Sequence, residues 1–145
     1  MIVNNKGIIS IMDKLEKIKS YKMPISISRY VIRNFRLLIE NYAIYKEQLD
    51  KLFDQYGRKD SKGVLEYGEN NLPLIAPKYI EEFNVELNEL LALEINIPFE
   101  TFSESLLDAW DDNKYDVLTA DELEVLYIMT ISDKEDANVQ SNNNT

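Results

Sequence analysis

VIRNFRLLIENYAIYKEQLDKLFDQY, running from Val31 to Tyr56, is the stretch whose reading decides the fold. Val31, Phe35, Leu38, Tyr42, Tyr45, Leu49, Leu52 and Tyr56 follow one another at alternating spacings of four and three. That is an a/d seam kept up over roughly four heptads, and it predicts one long helix. At ~1.5 Å per residue the helix spans on the order of 40 Å. Its apolar stripe is stable only if another helix, from this chain or a second one, covers it.

Working outward, Gly57 stands where a helix C-terminus is expected. Upstream, Pro24 disfavours helix in Met23, and Ile25 and Ile27 alternate with Ser26 and Ser28, so Tyr21 to Ile27 reads as an extended break. Ser26 or Ser28 is then the expected N-cap of the long helix. Before the break, Ile8, Ile11, Met12, Leu15 and Ile18 recur at three and four and predict a short amphipathic helix.

Downstream, Val64–Tyr67 and Leu72–Ile75 flank Gly68 to Asn71 and read either as a small hairpin or as an extended arm over one end of the helices. Pro73 confines any strand there to an edge. Pro77 opens the next helix, with Glu81 and Glu82 in its early turns. Ile80, Phe83, Leu87, Leu90 and Leu91 form its apolar stripe, which reaches about half the length of the seam it would cover. The remainder falls to the first helix, the last helix or another chain. Glu94 to Phe102 alternates like a short edge strand containing Pro98. Ser103 or Ser105 is placed to cap a turn through Leu106, Leu107 and Trp110. Thr119 and Glu122 have capping-box spacing before a last helix that packs through Leu123, Leu126, Tyr127 and Ile131.

The expected fold is mainly α: a long antiparallel helical hairpin with short N- and C-terminal helices and at most a small β-hairpin or sheet. Residues 1–131 form a single helical domain, and 132–145 a disordered polar tail.

At 145 residues the chain is long enough to bury a core without covalent staples. It has no cysteine and no histidine, so disulfides, thiolate metal sites, ordinary zinc sites and Ser-His-Asp chemistry are excluded. Paired carboxylates such as Glu86 with Glu89 are not gathered into an apolar pocket, and no phosphate-binding glycine loop is present. The expectation is a protein that is not an enzyme and takes no cofactor or metal. The polar Met1 to Asn5 and the interrupted run from Ile8 to Met12 do not read as a secretory signal, and no stretch has the apolar length of a membrane span.

The net charge of −10 is unevenly spread. Residues 1–63 hold 13 Lys or Arg against 7 Asp or Glu, a net +6, and residues 64–145 hold 3 against 19, a net −16. Either the halves neutralise each other on folding, or they present oppositely charged faces to separate partners. Arg29, Arg33 and Arg36 form a basic stripe beside the seam, suited to phosphates or to a carboxylate-rich protein surface. Ion pairs with the acidic half are the simpler use, and Tyr30 and Phe35 serve better as core than as base-stacking platforms, so direct nucleic-acid binding is not expected. The acidic run that includes Asp111, Asp112 and Asp116 is either a solvated face or a mimic of nucleic-acid phosphates. Asp111 to Glu122 also has the length of an EF-hand loop, but Tyr115 replaces an oxygen ligand and Asp116 the turn glycine. The capping box accounts for Thr119 and Glu122 without a cation.

Several pieces resemble a loose group of short proteins of tailed bacteriophages that infect Gram-positive and gut bacteria. They are Ser28-Arg29 through Arg36, the Tyr56-Gly57 helix end, Lys59-Asp60-Ser61-Lys62-Gly63, Glu81 to Leu91 leading into Glu94-Ile95, and Leu118-Thr119 to Met129. The resemblance implies a phage setting, and hence the bacterial host cytoplasm, and carries over no catalytic residue. The expected function is a non-catalytic accessory protein that binds a host or phage protein, for instance inhibiting a defence or replication component. The alternatives are a virion structural or assembly component that self-associates through the long helix, and an acidic DNA mimic. The candidate partner-binding residues are Arg29, Arg33, Arg36, Asp111, Asp112 and Asp116.

Overall fold

A computed structural model describes residues 1–132. The expected disordered tail lies outside the described residues, apart from Ser132. Over these residues the chain is mainly helical, with one long helix and two small sheets.

Strand β1 (Ile2–Asn4) leads directly into helix α1 (Asn5–Lys19), whose N-terminus is capped by the Asn4 side chain accepting from the Gly7 amide at 2.8 Å. The stripe of α1 is buried through Ile8, Ile11, Leu15 and Ile18. Helix α2 (Ile25–Tyr56) is 32 residues long, about 48 Å at the usual rise. It starts earlier than expected: Ser26 and Ser28 are inside it, and Pro24 holds the N-cap position. With φ near −58° Pro24 is already set for a helix start, and its carbonyl accepts from Ile27 and Ser28, so no serine cap is used. The break is therefore confined to Ser20 to Pro24.

Every residue of the seam from Val31 to Tyr56 is buried or half-buried, but two partners share it. Val31, Phe35 and Leu38 pack with α1 in the main core, which also takes Ile97, Phe102, Leu107, Val125, Leu126 and Met129. Phe53 and Tyr56 pack with Phe83 of helix α3 (Ile80–Ala92) in a second, smaller core, joined by Leu49, Leu52, Tyr79 and Leu87. The Tyr42 and Tyr45 rings, 5.9 Å apart, lie on the stretch of seam between them. Thus α1 is the principal partner of α2, and α3 meets only its last turns. On α3 the packing stripe begins at Phe83, whereas Ile80 is exposed.

Between α2 and α3 the chain makes three extended segments. Single antiparallel bridges join Gly57 to Ile75, Lys59 to Leu65 and Tyr67 to Pro73, so each segment touches both others. The amide of Arg58 donates to Leu74, that of Glu66 to Arg58 and that of Leu74 to Glu66, closing a ring of hydrogen bonds among the three segments. The expected hairpin strands meet at Tyr67–Pro73, but the residues after Gly57 join them as a third side. Gly57 itself is extended, with φ −66° and ψ 146°, not left-handed. Glycine is needed there for closeness: a Cβ would collide with Leu65 Cδ2 and the Phe53 carbonyl oxygen.

Pro77–Tyr79 forms a 3₁₀ turn that leads into α3. Strand β2 (Glu94–Asn96) then pairs antiparallel with β1, setting Val3 opposite Ile95. The first residues, read as merely polar, are thus a strand too short to show an alternation. Strand β3 (Phe102–Ser103) precedes a 3₁₀ turn over Glu104–Ala109 and pairs in parallel with β4 (Thr130–Ile131), which follows helix α4 (Ala120–Ile128). The inward face of α4 is Glu122, Val125 and Leu126, continuing to Met129, whereas Tyr127, expected to pack, is exposed.

Candidate protein-binding surface

The three arginines of the basic stripe project from the first half of α2 and have different surroundings. Arg33 Nη1 donates to both carboxylate oxygens of Glu100 at 2.8 Å, and this contact holds its guanidinium above the ordinary arginine range. Arg29 stands 4.0 Å from the same carboxylate and 5.8 Å from the Tyr30 ring. Arg36 has no ion-pair partner among the described residues. Beneath them, fully buried Asn34 donates to the Glu100 carbonyl at 2.9 Å and accepts from the Glu100 amide at 2.8 Å. Glu100 is thereby clamped to α2 by backbone and side chain together. Tyr30 stacks on Phe102 with ring centres 5.1 Å apart, and Phe35 is buried with the Lys19 ammonium 4.3 Å from its ring. Both aromatics serve the core.

Beside the arginines runs a second apolar row that the seam conceals in the sequence. Ile25, Ile32 and Ile39 recur at seven and are 88%, 40% and 45% exposed. Arg29, Arg36 and Ala43 stand four residues after each of them and are also exposed, so all six lie along one outward strip of the helix. The signal was available: a second heptad row offset from the first marks a helix with two apolar faces.

A different surface lies along α3. A cleft of about 580 Å³ is lined by Tyr56, Glu81, Glu82, Val85, Glu86 and Glu89. It shares Glu86 and Glu89 with a second cleft of about 300 Å³ bounded by Gln48, Leu52, Leu90 and Leu93. Glu86 Oε2 is buried with no hydrogen-bond partner among the described residues. The neighbouring Glu86 carboxylate is the main reason the Tyr56 hydroxyl is raised above its usual range, with burial second. The result is an open acidic groove with an aliphatic floor.

The acidic run is placed elsewhere and is exposed, with Asp111 and Asp116 engaged in local hydrogen bonds. Asp116 Oδ2 accepts from the Lys22 amide at 2.7 Å, the Asp116 amide donates to the Lys22 carbonyl, and the Asp116 carbonyl accepts from Trp110 Nε1 at 2.7 Å. Asp111 Oδ1 accepts from the Asn113 amide and its carbonyl from Lys114 and Tyr115, so it organises a turn. Asp112 is exposed beside a cleft of about 240 Å³ that includes Trp110 and Tyr127. Thr119 caps α4 by accepting from the Glu122 amide at 3.2 Å, so the hydroxyl half of the capping box is present. The carboxylate of Glu122 goes instead to Tyr21, whose hydroxyl donates to Oε1 at 3.0 Å. No group of three or more carboxylates among the described residues has metal-binding geometry. No helix among the described residues is long and apolar enough to cross a membrane.

Compared with known proteins, the chain matches no family model, no curated protein and no solved structure. The arrangement therefore has to be interpreted from its own chemistry. It offers one apolar and cationic helix face and one acidic groove, both suited to protein contacts.

Proposed function

We propose that this chain is a non-catalytic phage accessory protein that acts in the host cytoplasm by binding another protein through the outward strip of α2. The carrying observation is the exposed row Ile25, Ile32 and Ile39 interleaved with Arg29 and Arg36. A solvated helix face has no need of isoleucine at every seventh position, whereas an interface uses aliphatic contact for affinity and guanidinium groups for orientation. In this reading α2 and α3 act as a helical hairpin stiffened by α1, which presents the strip on a rigid element. The partner is a component of host defence or replication. A second reading, a self-associating virion assembly unit, is favoured by the opposite charges of the strip and the α3 groove. The internal bonds of Asp111 and Asp116 weigh against a DNA mimic, because a carboxylate held by its own backbone is poorly placed to imitate phosphate.

The test is co-purification from the host with the wild type and with Ile32→Glu/Ile39→Glu. Both positions are exposed, so the variant should keep its melting temperature and lose the protein that the wild type captures. An unchanged set of captured proteins would rule out the strip as the binding face.

A further inference from the structure

The strip and the groove are complementary in several respects. The strip carries Arg29 and Arg36 among isoleucines, and Arg36 is unpaired among the described residues. The groove carries Glu81, Glu82, Glu86 and Glu89 around Val85, Leu90 and Leu93, and Glu86 Oε2 has no partner there. Lengths agree as well: Ile25 to Ile39 covers about 21 Å of helix, and Glu81 to Leu93 about 18 Å. The two surfaces belong to different elements: the strip lies on the first half of α2, whereas the groove is formed where its last turns meet α3.

We infer that the outward strip of α2 docks into the α3 groove of a second copy of this chain, with Arg29 and Arg36 paired to its glutamates and the isoleucines laid on its aliphatic floor. The contact joins two different patches, so it is head-to-tail. Each bound copy still offers a free strip at one end and a free groove at the other, and association continues until a ring closes or an open chain forms. The attraction acts between exposed charges and weakens with added salt, while the aliphatic contact persists. The inference rests on the reading of the α2 strip as a binding face and follows the second reading above, in which the strip meets another copy of this chain in place of a host protein.

Sedimentation equilibrium of the full chain and two charge-reversal variants tests it. The wild type should show a weight-average mass that rises above 16.9 kDa with concentration and falls back as salt is added. Arg29→Glu/Arg36→Glu should weaken association by more than about tenfold, and so should Glu82→Lys/Glu89→Lys, because each sets like charges against each other. All four residues are exposed, and circular dichroism checks that both variants remain folded. An equimolar mixture should associate again, since the arginine strip of one variant meets the glutamate groove of the other. A wild type that stays monomeric at millimolar concentration overturns the inference. Association lost in the arginine variant but intact in the glutamate variant also overturns it, yet leaves the strip standing as a binding face for something else. Two folded variants that fail to associate when mixed exclude this pairing of surfaces.

Discussion

Tyr21 donates its hydroxyl proton to Glu122 Oε1, and Glu122 is only 5% exposed with its second oxygen unpaired among the described residues. The hydrogen bond to Glu122 is the main cause that raises the Tyr21 hydroxyl above the ordinary tyrosine range of about 10. Tyr56 is raised chiefly through Glu86, and Tyr45 chiefly by burial. In all three the folded state favours the neutral phenol. Their contribution is therefore complete below the unfolded pKa and is lost as pH rises through the raised folded values. Urea midpoints measured from about pH 8 to about pH 11 should fall at the alkaline end, and Tyr21→Phe should flatten part of that fall. A midpoint that stays level across this range would contradict the shared direction of the shifts. These residue-level contacts were the least legible part of the sequence. Thr119 and Glu122 carry capping-box spacing, and local spacing cannot announce that a tyrosine 101 positions away will take the carboxylate. Asn34, between seam positions, likewise gives no hint that it will clamp Glu100.

The elements were legible where a period ran long enough to exclude alternatives. The seam of α2 specified a helix, and the Ile8 to Ile18 stripe specified α1, because three-and-four spacing over several turns is incompatible with a strand. The division of the seam between α1 and α3 was not legible. Both candidate stripes have the same period, and which one lies against Val31 to Leu38 is decided by packing. Short elements gave even less: β1, β3 and β4 have two or three residues each, too few for alternation to register. At the junction of α2 with the three-sided arm, Gly57 was correctly placed as a helix end but for another physical reason. Its hydrogen sits against Leu65 and the Phe53 carbonyl where no methyl fits. Gly57→Ala should therefore lower unfolding stability by about 1–3 kcal/mol through overpacking, measured by urea denaturation. Gly63, at φ +78° with open space around it, offers a contrast: alanine there meets no atom, and only its backbone conformation is strained.

Across the whole molecule, charge is arranged in two ways at once. Part of the basic half is neutralised internally, through the pairs of Arg33 with Glu100 and Arg58 with Glu66. Arg36 on the α2 strip, which has no ion pair among the described residues, and Glu81, Glu82 and Glu89 along α3 are left to face outward. Exposed pairs contribute little to folding, so their arrangement matters more for what the surface meets than for how stable it is. Most directly, the account is tested by placing a photo-crosslinking benzophenone side chain at Ile32, irradiating the purified chain and mapping the adducts by mass spectrometry. The account predicts adducts between chains, from position 32 to residues 81–93. Adducts confined to single chains, or between chains but at position 32 of both copies, would contradict it.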